Sequence, residues 1–239
     1  QKKVVEKLYE AAKVVDEIFL EQVYSKNDEI KANLEASTKP EDKEILEYFN
    51  IMVGPFDRLD HDKPFYGTEQ KPEGANYYPA DMTKEEFNSW LESHPEDKAA
   101  FTSEFTVIRR DGDKLVAIPY PEAYKAKCEK ISKLLLEAAE YADNKTLKNY
   151  LTTRAKAFLS NDYYESDMAW MDMKDHTIEV IIGPYEVYED GLFNYKAAYE
   201  CFLTIVDPVE SAKLDKFESY LVDMEKNLPI PDEHKNFDR

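Results

Sequence analysis

Apolar residues recur at helical spacing in three long stretches, and this periodicity restricts the fold more than any other feature of the sequence. From residue 2 to about 24 the apolar positions Val4, Leu8, Ala11, Val15, Ile18 and Val23 step mostly by three and four. From Pro121 to about Ala142 the stripe is Tyr124, Cys128, Ile131, Leu135, Ala138 and Ala142; from Lys145 to Leu159 it is Leu147, Leu151, Ala155 and Phe158. Each stripe commits one face of a helix to a core and leaves a polar face to water, rich in Lys and Glu in the first stretch. Only Asp143-Asn144 separates the second and third stretches, which predicts an antiparallel helix pair.

Shorter helices fill in around these. One is predicted over 27 to 36, and another opens at Thr38-Lys39-Pro40-Glu41 and runs through Ile45, Leu46, Phe49 and Met52. Thr83-Lys84-Glu85-Glu86 opens a short helix through Phe87, Trp90 and Leu91. A last helix follows Asp207-Pro208 with a stripe of Leu214, Phe217, Leu221, Met224 and Leu228, and an extended tail runs on to Arg239.

The β signals are fewer. Residues 104 to 119 read as a hairpin turning at Asp111-Gly112. Thr177 to Ile182 reads as a strand with a further extended piece at 185 to 188, and Ala198 to Val206 as a mostly buried strand. The class is therefore α+β: mostly helical, with a small, mainly antiparallel sheet or partial barrel.

Between Gly54 and Asp81 the character changes. Three of the six glycines, four prolines and the aromatics Phe56, Phe65, Tyr66, Tyr77 and Tyr78 fall in this irregular segment. Its aromatics must pack on something, and long irregular segments inside compact domains are often functional. The adjacent residues Asp60-His61-Asp62 cannot readily point at one centre, so no metal site is predicted there.

The acidic balance, 31 Lys and Arg against 50 Asp and Glu for a formal charge of −19, opposes binding to nucleic acid or anionic lipid. No apolar run approaches the ~20 residues that span a bilayer. Cys128 and Cys201 each fall in an apolar stripe and read as buried thiols; a disulfide between them has little support. There is no His-Glu-x-x-His, no Gly-rich phosphate loop and no Gly-x-Ser-x-Gly, so no catalytic engine is visible.

The stretch Ile181 to Asp190 reads as a strand delivered to a bend, with Glu186 and Tyr188 two apart and so on one strand face. A carboxylate beside a phenol there can receive a ligand amine and a ligand carbonyl. From pattern alone the plainer reading, a buried Tyr beside a solvated Glu, is the stronger.

The neighbours of that stretch change the weighing. Ile182-Gly183-Pro184-Tyr185-Glu186-Val187-Tyr188 is followed by Tyr199-Glu200-Cys201-Phe202-Leu203 and by Leu228-Pro229-Ile230-Pro231. Upstream stand Gly54-Pro55-Phe56-Asp57-Arg58-Leu59 and Gly74-Ala75-Asn76-Tyr77-Tyr78-Pro79-Ala80-Asp81. In this order the segments resemble the dipeptidyl peptidase III family of zinc metallopeptidases, its bacterial branch in particular, over about 50 to 239. The resemblance implies one lobe of a two-lobed enzyme. The family's helical lobe holds zinc through His-Glu-x-x-Gly-His and a later Glu, and this chain carries no such motif.

The chain is thus expected to be an N-terminal, substrate-binding lobe, inactive alone and binding no zinc. Zinc and the missing zinc lobe would complete the full-length dipeptidyl peptidase. By the same resemblance Glu186 binds the free α-amino group of a short peptide and Tyr188 donates its O–H to the scissile carbonyl. Where the family often has a basic residue and Pro after the Tyr, this chain has Glu189-Asp190. Residues 1–53 are expected as a helical segment forming one unit with an α+β lobe over 54–239. The expected compartment is the cytoplasm, or the periplasm or a lipid anchor if a leader was removed. The alternative function is a non-catalytic peptide-binding or interaction protein.

Overall fold

The computed structural model describes residues 1–236. Three helices come first: α1 (Lys2–Val23), α2 (Asn27–Ala36) and α3 (Pro40–Met52). The irregular segment follows, its only regular structure the two-residue ladder of β1 (Phe56–Asp57) with β2 (Lys63–Pro64). Helices α4 (Lys84–Ser93) and α5 (Lys98–Phe101) lead to the hairpin of β3 (Thr106–Asp111) and β4 (Lys114–Pro119). A short α6 (Tyr120–Ala123) precedes the long pair α7 (Lys125–Tyr141) and α8 (Lys145–Ser160), then α9 (Tyr164–Met171). The strands β5 (Ile178–Glu186) and β6 (Ala198–Ile205) pair antiparallel, and α10 (Pro208–Glu218) and α11 (Leu221–Lys226) follow. Mostly helical with small antiparallel sheets is the class expected from the sequence. Among the described residues the β-structure is three separate two-stranded ladders.

The core lies where the three predicted stripes meet. Helix α1 packs against α7 and β6, α7 against α8, and α8 against α9. Leu8, Ile18, Ile131, Leu135, Leu151, Phe158, Val180 and Ile182 are all fully enclosed there. Burying each such side chain is worth about 1.5–3 kcal/mol, so this seam dominates the stability of the chain. Cys128 on α7 and Cys201 on β6 are free thiols. Burial pushes the first up to about 11 and the second up to about 12, which keeps both as unreactive thiols.

The turn between α7 and α8 is held by one side chain. The Oδ1 of Asn144 accepts from the backbone N–H of Thr146 and Leu147, capping α8. Its amide donates to the carbonyls of Lys174 and Asp175, 2.8 and 3.0 Å away, tying the cap to the approach to β5.

Four local expectations need correction. The helix predicted from Pro121 begins one residue earlier and breaks at Tyr124, whose backbone leaves the helical region (φ −114). The hairpin turns on Gly112-Asp113, because Asp111 still pairs with Lys114. Strand β6 is fully buried only at Ala198 and Tyr199; Cys201 and Leu203 are half-buried against the core, while Phe202, on the other face, and Ile205, at the strand end, stand 55% and 64% exposed. The final helix is two short helices broken at Ser219-Tyr220, with Leu214, Phe217 and Met224 exposed. The tail carries a turn at Asp232–His234, and its last three residues lie outside the described ones.

Replacing Asn144 with Ala should cost about 1–2 kcal/mol, since it removes the cap and both tethers. A fall in the denaturant midpoint at unchanged slope is the expected readout; an unaltered midpoint would mean that water replaces the cap.

Candidate functional site

Strand β5 runs in regular register with β6 from Ile178 opposite Ile205 to Pro184 opposite Tyr199, then slips, so that Glu186 faces Ala198 and Tyr185 bulges out. Pro184 has no N–H for the ladder, and Gly183 adopts φ +152, a conformation side chains rarely take. A Cβ at Gly183 would also stand 3.0 Å from Nη1 of Arg154. Arg154 is wholly buried and donates through Nη2 to Asp167 Oδ1. Its guanidinium lies 5.2–5.6 Å from the ring centres of Tyr150, Tyr163 and Tyr185, and these π faces stand in for partners that its Nε and Nη1 lack. A buried arginine in a tyrosine cage thus sets the bulge from which Glu186 emerges.

The strand stops at Glu186, and Tyr188-Glu189 form a turn. The predicted extended piece at 185 to 188 is therefore wrong past Glu186, and the alternation argument for one shared strand face does not apply. The two residues still lie two apart in sequence at one strand end. Both are exposed, Tyr188 to 81%, so the buried-Tyr reading fails. Sequence reasoning missed Glu200, which lies opposite Gly183 on β6. Burial pushes its carboxyl up and the charge of Glu186 pushes it further, so the two acids are near enough to repel. Glu200 also lines an open cavity of about 390 Å³ with Asp167, Trp170, Met171, Ile181 and Tyr185. An apolar cavity beside paired acids suits a side chain attached to an ammonium group.

The turn is anchored immediately after Tyr188. Glu189 meets Arg58 at 2.8 Å and Lys71 at 2.7 Å. Burial pushes its carboxyl up, but the two cations outweigh that and hold it below the usual range. Asp190 has no exposed surface. Its Oδ1 accepts from the N–H of Leu192 and Phe193, and its Oδ2 from the N–H of Tyr195 and Lys196 and from the Tyr78 hydroxyl. An Asp followed by Gly is a turn signal that could have pointed to this role.

Lys196 is buried too, and its Nζ donates to the carbonyls of Phe101 and Ser103 and to Thr106 Oγ1 at 2.6–2.9 Å. Burial pushes this amine down to about 7, against the opposing pull of Asp190. Between about 7 and the ordinary lysine value of 10.5 the unfolded chain therefore holds a proton that the native chain has released, so stability should rise with pH across that window.

No cluster of three or more His, Cys, Asp or Glu among the described residues could hold a metal ion. His61 and Asp62 lie in a turn with φ near +55, and His176 pairs with Glu179 at 2.5 Å. No helix among the described residues is long and apolar enough to cross a membrane.

Two outcomes are expected of variants in this loop. Asp190→Ala, which leaves four backbone N–H groups and Tyr78 without their acceptor, should destabilise by about 3 kcal/mol or more in denaturant unfolding. Lys196→Met should flatten the rise in melting temperature between pH 7 and 10. A parallel rise in the variant would assign the slope to another group.

Comparison with known proteins adds context to this geometry. A solved structure of DPP III from Caldithrix abyssi superposes with a TM-score of 0.95 and 68% identity, covering 99% of this chain and 45% of that one. Dipeptidyl-peptidase III from Corallococcus sp. strain EGB gives 0.89 and 45%, covering 99% of this chain and 44% of that one. A curated Arabidopsis thaliana protein, Nudix hydrolase 3, is 35% identical over 283 aligned residues, 97% of this chain and 36% of that protein. The chain spans less than half the length of each of these relatives. The profile of peptidase family M49 matches residues 81–239, and the chain belongs to that family.

Proposed function

We propose that this chain is the N-terminal, substrate-binding lobe of a longer zinc-dependent dipeptidyl peptidase. Glu186 receives the free α-amino group of a short peptide and Tyr188 donates its O–H to the oxygen of the scissile carbonyl. The observation that carries the reading is the exposure of both groups at the end of β5, on a bend whose next two residues are fastened, Glu189 by two cations and Asp190 by backbone N–H groups. A carboxylate and an ammonium form a charge-assisted hydrogen bond, and the nearby Glu200 adds to the negative potential that attracts the cation. The cavity beside Glu200 accepts the side chain of the peptide's first residue. Fixing the amine fixes how far the peptide extends before it reaches Tyr188, so cleavage is counted from the N-terminus.

Tyr188 supplies a donor to an oxygen that gains negative charge in the transition state. Zinc, which would polarise the carbonyl and activate water, belongs to the part of the protein outside these residues, and residues 1–239 alone release no dipeptides. Residues 1–53 and 54–239 act as one unit, because α1 packs on α7 and β6. The exposed apolar side chains of α10 and α11 favour a face that the rest of a longer chain covers. Cytoplasmic peptides are the substrates this reading favours.

The test uses the longer protein and a dipeptidyl arylamide. Tyr188→Phe should lower kcat about a hundredfold with KM nearly unchanged. Glu186→Gln should raise KM for substrates with a free amine. Full turnover by Tyr188→Phe would remove it from the mechanism. Chelator-sensitive hydrolysis by residues 1–239 alone would overturn the lobe assignment, and a longer protein that binds peptides without cleaving them would leave the non-catalytic alternative.

A further inference from the structure

Tyr188 is the residue with the least visible support at the site: its side chain is 81% exposed, at the tip of a turn. Its position is therefore set by the backbone on either side. On the strand side stands the bulge at Pro184–Glu186. On the other side stands Glu189. Its side chain is only 7% exposed and lies between two cations, Arg58 Nη1 at 2.8 Å from Oε2 and Lys71 Nζ at 2.7 Å from Oε1.

Both cations come from the irregular segment 54–81, and both are themselves fixed. Arg58 donates through Nε to the carbonyl of Met52 at 2.7 Å, and its guanidinium lies 5.9 Å from the centre of the Phe19 ring. Lys71 also reaches Asp62 at 3.4 Å. The backbones meet directly at this junction: a Cβ on Gly191 would come within 2.8 Å of the Glu73 carbonyl oxygen. His61, Asp62, Lys71, Tyr188, Glu189 and Gly191 line one shared cavity of about 320 Å³. The segment is thus the wall against which the turn is braced.

We propose that Glu189 is a positioning residue for the reaction: through Arg58 and Lys71 it fastens the turn to segment 54–81 and so holds the Tyr188 hydroxyl at the place where it meets the substrate carbonyl. The proposal rests on the role given to Tyr188 above. Its physical content is that an acid on the turn meets a cationic wall. Neutralising Glu189 deprives Arg58 and Lys71 of their shared carboxylate, which loosens the turn from the wall. A purely structural ion pair would lower stability alone; a positioning pair lowers turnover only through Tyr188.

A double-mutant cycle in the longer protein separates these. The variants are Glu189→Gln, Tyr188→Phe and the pair together, with kcat, KM and melting temperature measured for each. Glu189→Gln should lower kcat about tenfold with KM within about twofold, and should cause no further loss in the Tyr188→Phe background. Glu189→Asp should recover part of the loss. Lys71→Met supplies a second route if Glu189→Gln fails to fold, with a smaller loss that likewise vanishes in the Tyr188→Phe background. Equal fold losses in both backgrounds, or an unchanged kcat in Glu189→Gln, overturn the proposal while leaving the Tyr188 reading in place. An unchanged kcat in Tyr188→Phe alone overturns both.

Discussion

The carboxylate of Asp190 has no exposed surface, and its two oxygens accept four backbone N–H groups and the hydroxyl of Tyr78. A buried charge is tolerated only when it is bonded in this way. The loop from 190 to 196 is consequently wrapped around one side chain and cannot move without exposing several polar groups at once. Lys196, at the end of that loop, bonds to three acceptors around β3 and the residues before it, so the loop is fastened to a second part of the fold. The exposed residues Glu186 and Tyr188 gain definition from what is buried next to them.

A division of labour follows. The helical seam of α1, α7 and α8 supplies stability, and it presents β5 and β6 on its surface. Arg154 and its tyrosine cage pack against Gly183 just before the register slips between Pro184 and Glu186, where Glu186 emerges. Arg58 and Lys71 bring the irregular segment 54–81 against the turn beyond Tyr188.

The helical stripes were legible because a period of 3.6 leaves a long, redundant signal, as in Val4 to Val23 and Leu147 to Phe158. The same signal misled at Leu214 to Leu228, because periodicity says that a helix has an apolar face and not what covers it. Strand alternation failed at Tyr188, because the ladder slips after Pro184 and ends at Glu186, two residues before it. Asp190, Lys196 and Arg154 could not be read as buried, since charged residues look like surface until their partners are known. Asp190 bonds mostly within its own loop, whereas other partners sit far away along the chain, Lys196 reaching Phe101 and Glu189 reaching Arg58. The family resemblance suggested roles for Glu186 and Tyr188 where pattern alone did not, and it gave no role to the residues that hold them.

The central claim is that Glu186 recognises a peptide by its free amine. Calorimetric binding of one short peptide to the longer protein, with its N-terminus free and then acetylated, tests it most directly. A charge-assisted hydrogen bond to a carboxylate is worth about 1.5–3 kcal/mol, so acetylation should weaken binding about ten- to a hundredfold, and Glu186→Gln should abolish the difference. Equal affinity for the free and acetylated peptides would contradict the account.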